Sequence, residues 1–313
     1  MMERNSRILV TGGSGLLGSA LTLKLQEAGF ISCVSLSSKD LNLLSYDATL
    51  QAFCDRFRPE YVFHLAGAVY GIGGNLREPG RIFLENTLIN THVVEASRRA
   101  GTKKIVAMGS ICAYPSPPVV DGSLHEEHLF FGEPHPGERA YGQAKRAMLA
   151  QIEANHLSGM DYAFAISTNL YGPNDHYNLE TGHVIPSLIR KFYEALYSGD
   201  DVVIWGDGLS KRDIMHSWDA AQALIDIMQF ASGRVNLATG RMLTIYEIAQ
   251  ILGEISGIKQ RWKFDASKPR GHEFPCSNVD RLRAIGFRPS FSAEQGLAHA
   301  FRWYSENVVR ARR

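Results

Sequence analysis

Long apolar runs are missing from this chain of 313 residues: the longest are strand-sized, so no membrane-crossing helix is expected. Cysteine is scarce. The four present (Cys33, Cys54, Cys112, Cys276) form no CxxC pair and show no zinc-ligand spacing, so neither a metal site nor a redox motif is expected. Neither sign of charge dominates, because 33 Lys and Arg against 32 Asp and Glu leave a formal +1. That balance gives no reason to expect nucleic acid or an anionic membrane as a partner. Internal repeats and low-complexity tracts are absent as well. The opening Met1-Met-Glu-Arg-Asn-Ser-Arg7 meets a short strand and then glycines, unlike a signal peptide, so the cytoplasm is the expected compartment. A composition with 45% hydrophobic and 21% charged residues is that of an ordinary soluble enzyme, with one large or two small domains.

What is present is a regular alternation. An apolar strand over 7–10 is followed by a glycine-rich turn and a helix over 19–28, with Leu21, Leu25 and Ala28 on one face and Gly29 at its end. Strands over 31–36, 61–66, 104–108 and 162–167 alternate with helices over 47–57, around 86–100 and 141–156. This order predicts an α/β fold, a Rossmann-like, doubly wound parallel sheet. From about Asn169 the pattern loosens into a smaller, discontinuous C-terminal substrate lobe. The expected division is a dinucleotide-binding domain over 1–168 plus parts of 210–240, and a substrate lobe over 169–209 and 240–313. Segment 114–139 stands apart: five prolines, several acids and several histidines mark a long loop at a strand's C-terminal edge, where loops usually serve a site.

Gly12-x-x-Gly15-x-x-Gly18 lies between a strand and a helix. Glycines there let the backbone turn tightly and approach a pyrophosphate, which a helix N-terminus attracts. At the end of the second strand, Leu36-Ser-Ser-Lys39 supplies no acid for a ribose 2′-hydroxyl, and Lys39 is placed to meet a 2′-phosphate. NADP is the expected cofactor, with NAD left open. Farther on, Tyr141-Gly-Gln-Ala-Lys145 puts a phenol and an ammonium on one helix face, about 6 Å apart at Cβ. A neighbouring cation favours phenolate, so Lys145 is expected to lower the Tyr141 pKa. Ser110, at the end of the strand over 104–108, is placed to hold a carbonyl beside that phenol. Cys112 follows at i+2 and points to the same side if the chain stays extended. This is equipment for moving a proton on an alcohol or ketone while a cofactor moves the hydride.

Further segments bear on the reading: Asp40-Leu-Asn-Leu-Leu44, Ser110-Ile-Cys-Ala-Tyr-Pro115, Thr168-Asn-Leu-Tyr-Gly-Pro173, His183-Val-Ile-Pro186, Trp205-Gly206 and Phe264-Asp-Ala-Ser-Lys-Pro269. With these the chain resembles the extended short-chain dehydrogenase/reductases over nearly its full length, and within them the GDP-L-fucose synthases. The resemblance implies an NADPH-dependent epimerase/reductase of a nucleotide-linked 4-keto-6-deoxyhexose. Tyr141, Lys145 and Ser110 would then serve reduction at C4. Cys112 and His183 would serve as the acid/base pair that inverts C3 and C5. Their ordinary values of ~8.5 and ~6.5 bracket neutral pH. It further implies Gly12, Gly15, Leu16, Leu17, Gly18, Lys39, Leu65, Ala66, Asn169 and Leu170, with Tyr141, Lys145 and His183, around the cofactor. Asn169, Lys191, Trp205 and Arg212 would meet the nucleotide sugar, and the assembly would be a homodimer.

The chain also departs from that pattern. Ile111 stands where Ser is common between Ser110 and Cys112, and Leu36 and Ser14 take places where arginines contact a 2′-phosphate. Arg270-Gly-His-Glu-Phe-Pro275 replaces a run of Asp-Gly-Thr-Pro-Arg-Lys, which changes the charge expected around the sugar. Two other readings therefore stand beside the first: a reductase alone or a redox-neutral 4-epimerase on another nucleotide sugar, and a non-catalytic cofactor-sensing relative. Retention of both Tyr141 and Lys145 argues against the last.

Overall fold

Alternating burial along the strands builds the molecule. The computed structural model describes residues 1–69, 72–118, 122–157, 159–268 and 273–312. In chain order the strands are β1 (Ile8–Thr11), β2 (Cys33–Leu36), β3 (Tyr61–His64), β4 (Lys104–Ser110), β5 (Asp161–Ser167), β6 (Asn169–Tyr171), β7 (Val202–Trp205), β8 (Lys211–His216), β9 (Gly233–Leu237), β10 (Met242–Thr244) and β11 (Trp262–Asp265). Six of them form one parallel sheet in the order β2-β1-β3-β4-β5-β9. The helices are α1 (Leu16–Glu27), α2 (Tyr46–Gln51), α3 (Ile72–Arg77), α4 (Pro79–Arg99), α5 (Arg139–His156), α6 (Val184–Ser198), α7 (Ser217–Phe230), α8 (Ile245–Ser256), α9 (Asp280–Ala284) and α10 (Ala293–Glu306).

Both faces of the sheet are apolar, as a parallel sheet covered by helices requires. Ile8, Val10, Val106, Met108, Ala163 and Ala165 join one buried cluster, with residues of α1 and α7. Their neighbours Leu9, Ile105, Ala107, Phe164 and Ile166 face the other way, into a cluster with residues of α4 and α5. A third cluster, including Tyr177, Phe192 and Tyr304, fills the C-terminal region among α6, α8, α10 and two small sheets, β10-β8-β6 and β11-β7. The chain returns once more: Leu282 on α9 and Phe287 beyond it pack into the first cluster.

The expected doubly wound sheet is observed. Several elements differ in extent: α2 gives way after Gln51 to a π-helical stretch over Ala52–Phe57, and α1 already starts at Leu16. The second strand starts only at Cys33, Ile31 being 80% exposed, and α4 begins at Pro79, a residue suited to a helix's first turn. Because β1 lies between β2 and β3, the chain turns opposite ways from its two edges. The crevice above the strand ends at such a reversal is where α/β sheets take ligands.

Candidate active site

At the β1 end of the crevice, sterics allow only glycine. Gly12 has φ +75°, and a Cβ there would lie 2.8 Å from the Ala66 nitrogen. A Cβ on Gly18 would lie 2.2 Å from the Gly12 carbonyl oxygen. The loop is pinned to both neighbouring strand ends: Gly13 N–H donates to Leu36 O at 2.9 Å, and Leu65 N–H to Thr11 O at 3.2 Å. Leu65 and Ala66 therefore wall the same cradle as Gly12. Gly15 occupies the N-cap of α1 without a capping side chain, and no acid lies in the first turn. The backbone N–H groups of Leu16, Leu17 and Gly18 thus open the helix with no negative charge over them, as a pyrophosphate site requires. At the β2 end, the Asp40 carboxylate accepts from Ser37 Oγ at 2.6 Å and Ser37 N at 2.8 Å, which holds it below the usual carboxylate range. The acid nearest that strand end is therefore tied into its own turn, and Lys39 beside it is exposed. Leu36, in one of the arginine places, is buried in the core.

At the end of β4 the expected residues converge, with one change of geometry. The chain does not stay extended after Ser110. Residues Ile111–Ala113 make a single tight turn, and Ser110 Oγ accepts from Cys112 N–H at 3.2 Å. Cys112 thus reaches the site by a capped turn instead of by strand alternation. Its Sγ donates to Glu138 Oε1 at 3.2 Å. Burial pushes the thiol well up, and the Glu138 charge adds to this.

Helix α5 brings Tyr141 and Lys145 to the same place. Lys145 Nζ lies over the Tyr141 ring, 5.5 Å from its centroid. The expected lowering of the phenol by Lys145 is not found. Burial pushes Tyr141 up, with Cys112 and Glu138 acting in the same direction, and burial pushes Lys145 down to about 8. Spacing supplied the shared face, but desolvation sets the direction of both shifts.

His183 occupies the N-cap of α6, yet its side chain caps nothing. Solvent reaches it, yet desolvation by the atoms packed around it, and secondarily His176, hold the imidazole below its ordinary value. Asn169, the first residue of β6, donates from Nδ2 to Asp213 O at 3.2 Å; Leu170 packs on the first core cluster. Trp205 ends β7 at 52% exposure with Lys191 Nζ 5.5 Å and Lys268 Nζ 5.9 Å from its ring centroid. Lys191 also donates to Val203 O at 2.8 Å. Arg212 is half-buried. Burial lowers its pKa, opposed by the charges of Glu273 and Glu138. It makes no simple pair with its neighbour, since Asp213 accepts from Thr239 Oγ1 at 2.7 Å and Gly240 N at 2.8 Å. Arg270, Gly271 and His272, which carry much of the altered segment, lie outside the described residues.

Comparison with known proteins settles the broader question. Residues 8–238 match the NAD dependent epimerase/dehydratase family. The chain belongs to that family. It is an NAD(P)-dependent enzyme of the extended short-chain dehydrogenase/reductase type. The chain is 34% identical to a GDP-L-fucose synthase of Escherichia coli (strain K12), with 98% of each covered. It also superposes on a GDP-L-fucose synthetase from Naegleria fowleri bound to NADP, with TM-score 0.91, 30% identity and coverage of 100% of this chain and 96% of the other. A GDP-mannoheptose C4 reductase from Campylobacter jejuni with NADP bound is similar at TM-score 0.87 and 26% identity, covering 97% and 100% of the two chains.

Sequence reasoning missed three groups in this family member. Glu138 and Glu273 flank Arg212, and Glu273 accepts from Lys211 N at 2.7 Å. Beneath Lys145, His64 bridges Thr11 Oγ1 at 2.8 Å and Asn90 Oδ1 at 3.1 Å, its pKa pushed down to about 3 by burial and then by the Lys145 charge. Glu138 had a readable signal, lying three residues before Tyr141 on the same helix turn. Glu273 had none, because its approach to β8 depends on long-range packing.

Proposed function

We propose that this enzyme is an NADPH-dependent epimerase/reductase of a GDP-linked 4-keto-6-deoxyhexose that inverts C3 and C5 and reduces the C4 ketone. The observation that carries this reading is the meeting of two proton-handling sets at the end of β4: Ser110 with Tyr141 and Lys145, and Cys112 across the same turn. A reductase needs the first set. The second has a use only where a neighbouring carbon exchanges its proton. The glycine turn fits a dinucleotide: side chains at Gly12 or Gly18 would collide with the Ala66 and Gly12 backbone, and the tight turn leaves the uncapped start of α1 to meet a pyrophosphate.

Bound NADPH supplies the hydride. The cradle of Gly12, Gly15, Leu16, Leu17 and Gly18 takes the pyrophosphate, Leu65, Ala66, Asn169, Leu170 and His183 line the remaining cofactor wall, and Lys39 meets the 2′-phosphate. The C4 ketone acidifies the hydrogens at C3 and C5. Between them, Cys112 and His183 remove one on one face and return one on the other, as inversion demands. Ser110 donates a hydrogen bond to the C4 oxygen and Tyr141 gives that oxygen its proton. Lys145 supplies positive charge to the phenol and to the cofactor ribose. Arg212 and Lys191 attract the diphosphate, and Trp205 offers apolar area to the nucleotide. The division of labour follows the proposed domains, 1–168 with parts of 210–240 for the cofactor and 169–209 with 240–313 for the sugar, in a homodimer.

The test is incubation in deuterated water with NADPH and a panel of GDP-, dTDP- and UDP-linked 4-keto sugars, followed by NMR of the products. The expected result is oxidation of NADPH with a GDP-linked sugar and deuterium at both C3 and C5. Failure to oxidise NADPH with any member would sink the reading. Cys112→Ala should suppress exchange at C3 and C5 more than reduction of a ketone already epimerised; equal loss of both steps points to a structural cysteine. One observation favours a second reading, a C4 reductase of a different GDP sugar. The charges of Glu273 and Glu138 both bear on Arg212 and Lys191 is engaged with Val203 O, so the charge on the substrate wall is not arranged solely for a diphosphate. Reduction without deuterium at either carbon selects it.

A further inference from the structure

Glu138 stands at the N-cap of α5, yet its carboxylate caps no helix N–H. It turns instead to the Cys112 thiol, accepting at 3.2 Å. The helix is built to bring it there. One turn on, Gly142 lies so close that a Cβ would sit 2.6 Å from the Cys112 carbonyl oxygen, and one turn further Arg146 Nε donates to Ala113 O at 2.8 Å. The i, i+4, i+8 stripe of Glu138, Gly142 and Arg146 thus clamps the turn that carries Cys112. Glu138 itself is half-buried, with one side on the thiol and one on solvent.

An acid/base pair that inverts two carbons faces a problem of resetting. After the first inversion, the group that took the proton still holds it, and the group that gave one is left as an anion. Both must return to their starting states before the second carbon can react. We propose that Glu138 is the positioning and proton-relay residue of Cys112, holding the thiol toward the cleft and restoring its proton from solvent between the two inversions. This rests on the epimerase reading above. The balance is simple. Cys112 gives its proton to the carbon and becomes thiolate. Glu138 takes a proton from water and passes it to sulfur, the released hydroxide being neutralised by the proton that the opposite base returns to solvent. Nothing is oxidised or reduced. Like charge drives the transfer, because a thiolate and a carboxylate at hydrogen-bond distance raise each other's proton affinity. The other titratable or charged groups that bear on this pair are the Tyr141 phenol on α5 and Arg212 on β8, the latter through Glu138.

The test uses the full-length enzyme and the variants Glu138→Gln and Glu138→Asp. Alkylation of Cys112 by iodoacetamide, followed peptide by peptide against pH, reads the thiol without any substrate. Deuterium exchange at C3 and C5, divided by the rate of NADPH oxidation on the same sugar, reads the relay. In Glu138→Gln the alkylation inflection should move down by about one unit and the exchange ratio should fall about tenfold or more. Glu138→Asp should recover part of both. An unchanged alkylation profile, or an exchange ratio within about twofold of wild type, overturns the relay while leaving the epimerase reading intact. Wild-type enzyme that reduces the sugar without exchanging deuterium overturns both.

Discussion

Helix α5 carries two neighbouring stripes that make opposite use of the same backbone. Tyr141 and Lys145 face the cleft, where burial raises the phenol and lowers the ammonium, so each is biased toward its neutral form. Glu138, Gly142 and Arg146 face the turn after β4, where a close backbone approach and two hydrogen bonds fix Cys112. The first stripe serves chemistry at a cost in stability; the second serves packing and so positions chemistry elsewhere. Residues three positions apart on one helix can therefore be expected to fail in different ways when changed.

The largest effect belongs to the cleft stripe. If Tyr141 is the proton donor proposed above, Tyr141→Phe should lower turnover by about 10²–10⁴-fold, the usual worth of a positioned acid. NADPH affinity should stay within about threefold by fluorescence titration, the ring and its packing being kept. Substantial turnover in this variant would remove Tyr141 from its role. Lys145 tests the stability side. Folded, it loses its proton near pH 8, whereas the unfolded chain does so near the ordinary lysine value of ~10.4. Below pH 8 both states carry the charge, and the fold bears the whole cost of burying it. As pH rises from there toward about 10, the unfolded chain binds the extra proton, so the residue's contribution to stability improves. Lys145→Met should accordingly stabilise the cofactor-free protein at pH 7, by on the order of 3 kcal/mol, while abolishing turnover. That advantage should shrink at pH 9.5, as urea titrations at the two values would show. An equal difference at both would mean that burial of the charge is not the cause.

How far these features were legible depends on the range of the forces involved. The sheet was readable because its strands alternate with helices of ordinary length and its glycine turn sits between a strand and a helix. The Tyr141/Lys145 face was readable for a similar reason, since helical spacing is local. What spacing does not contain is desolvation. The cation four residues away suggested a lowered phenol, and only the packed site reveals that burial prevails. Cys112 shows the same limit on a smaller scale: its closeness to Ser110 was legible, but the tight turn that Ser110 caps was not, because nothing in Ser-Ile-Cys forbids an extended chain. Glu273 accepts from Lys211 N and lends its charge to Arg212 across about sixty positions of sequence, beyond the reach of any local pattern (roughly one helix turn or strand).

The clamp stripe gives the smallest and sharpest contrast. Gly142→Ala places a methyl 2.6 Å from the Cys112 carbonyl oxygen and about as close as real contacts allow to Pro134, so the helix or the turn must move. Overpacking of this kind typically costs about 1–3 kcal/mol. At Gly80, in the first turn of α4, a Cβ would meet nothing within 4 Å, so the same substitution there should lie between no effect and a gain of about 0.5 kcal/mol. The propensity gain from glycine to alanine is shared by both sites; the difference between their denaturation midpoints isolates the steric term. A second readout connects that term to chemistry. Displacing the turn moves Cys112 relative to Glu138, while Tyr141 and Lys145 keep their own helix. In Gly142→Ala, deuterium exchange at C3 and C5 should therefore fall further than hydride transfer. If both fall together, the two stripes are mechanically one unit, and the contrast between them is wrong.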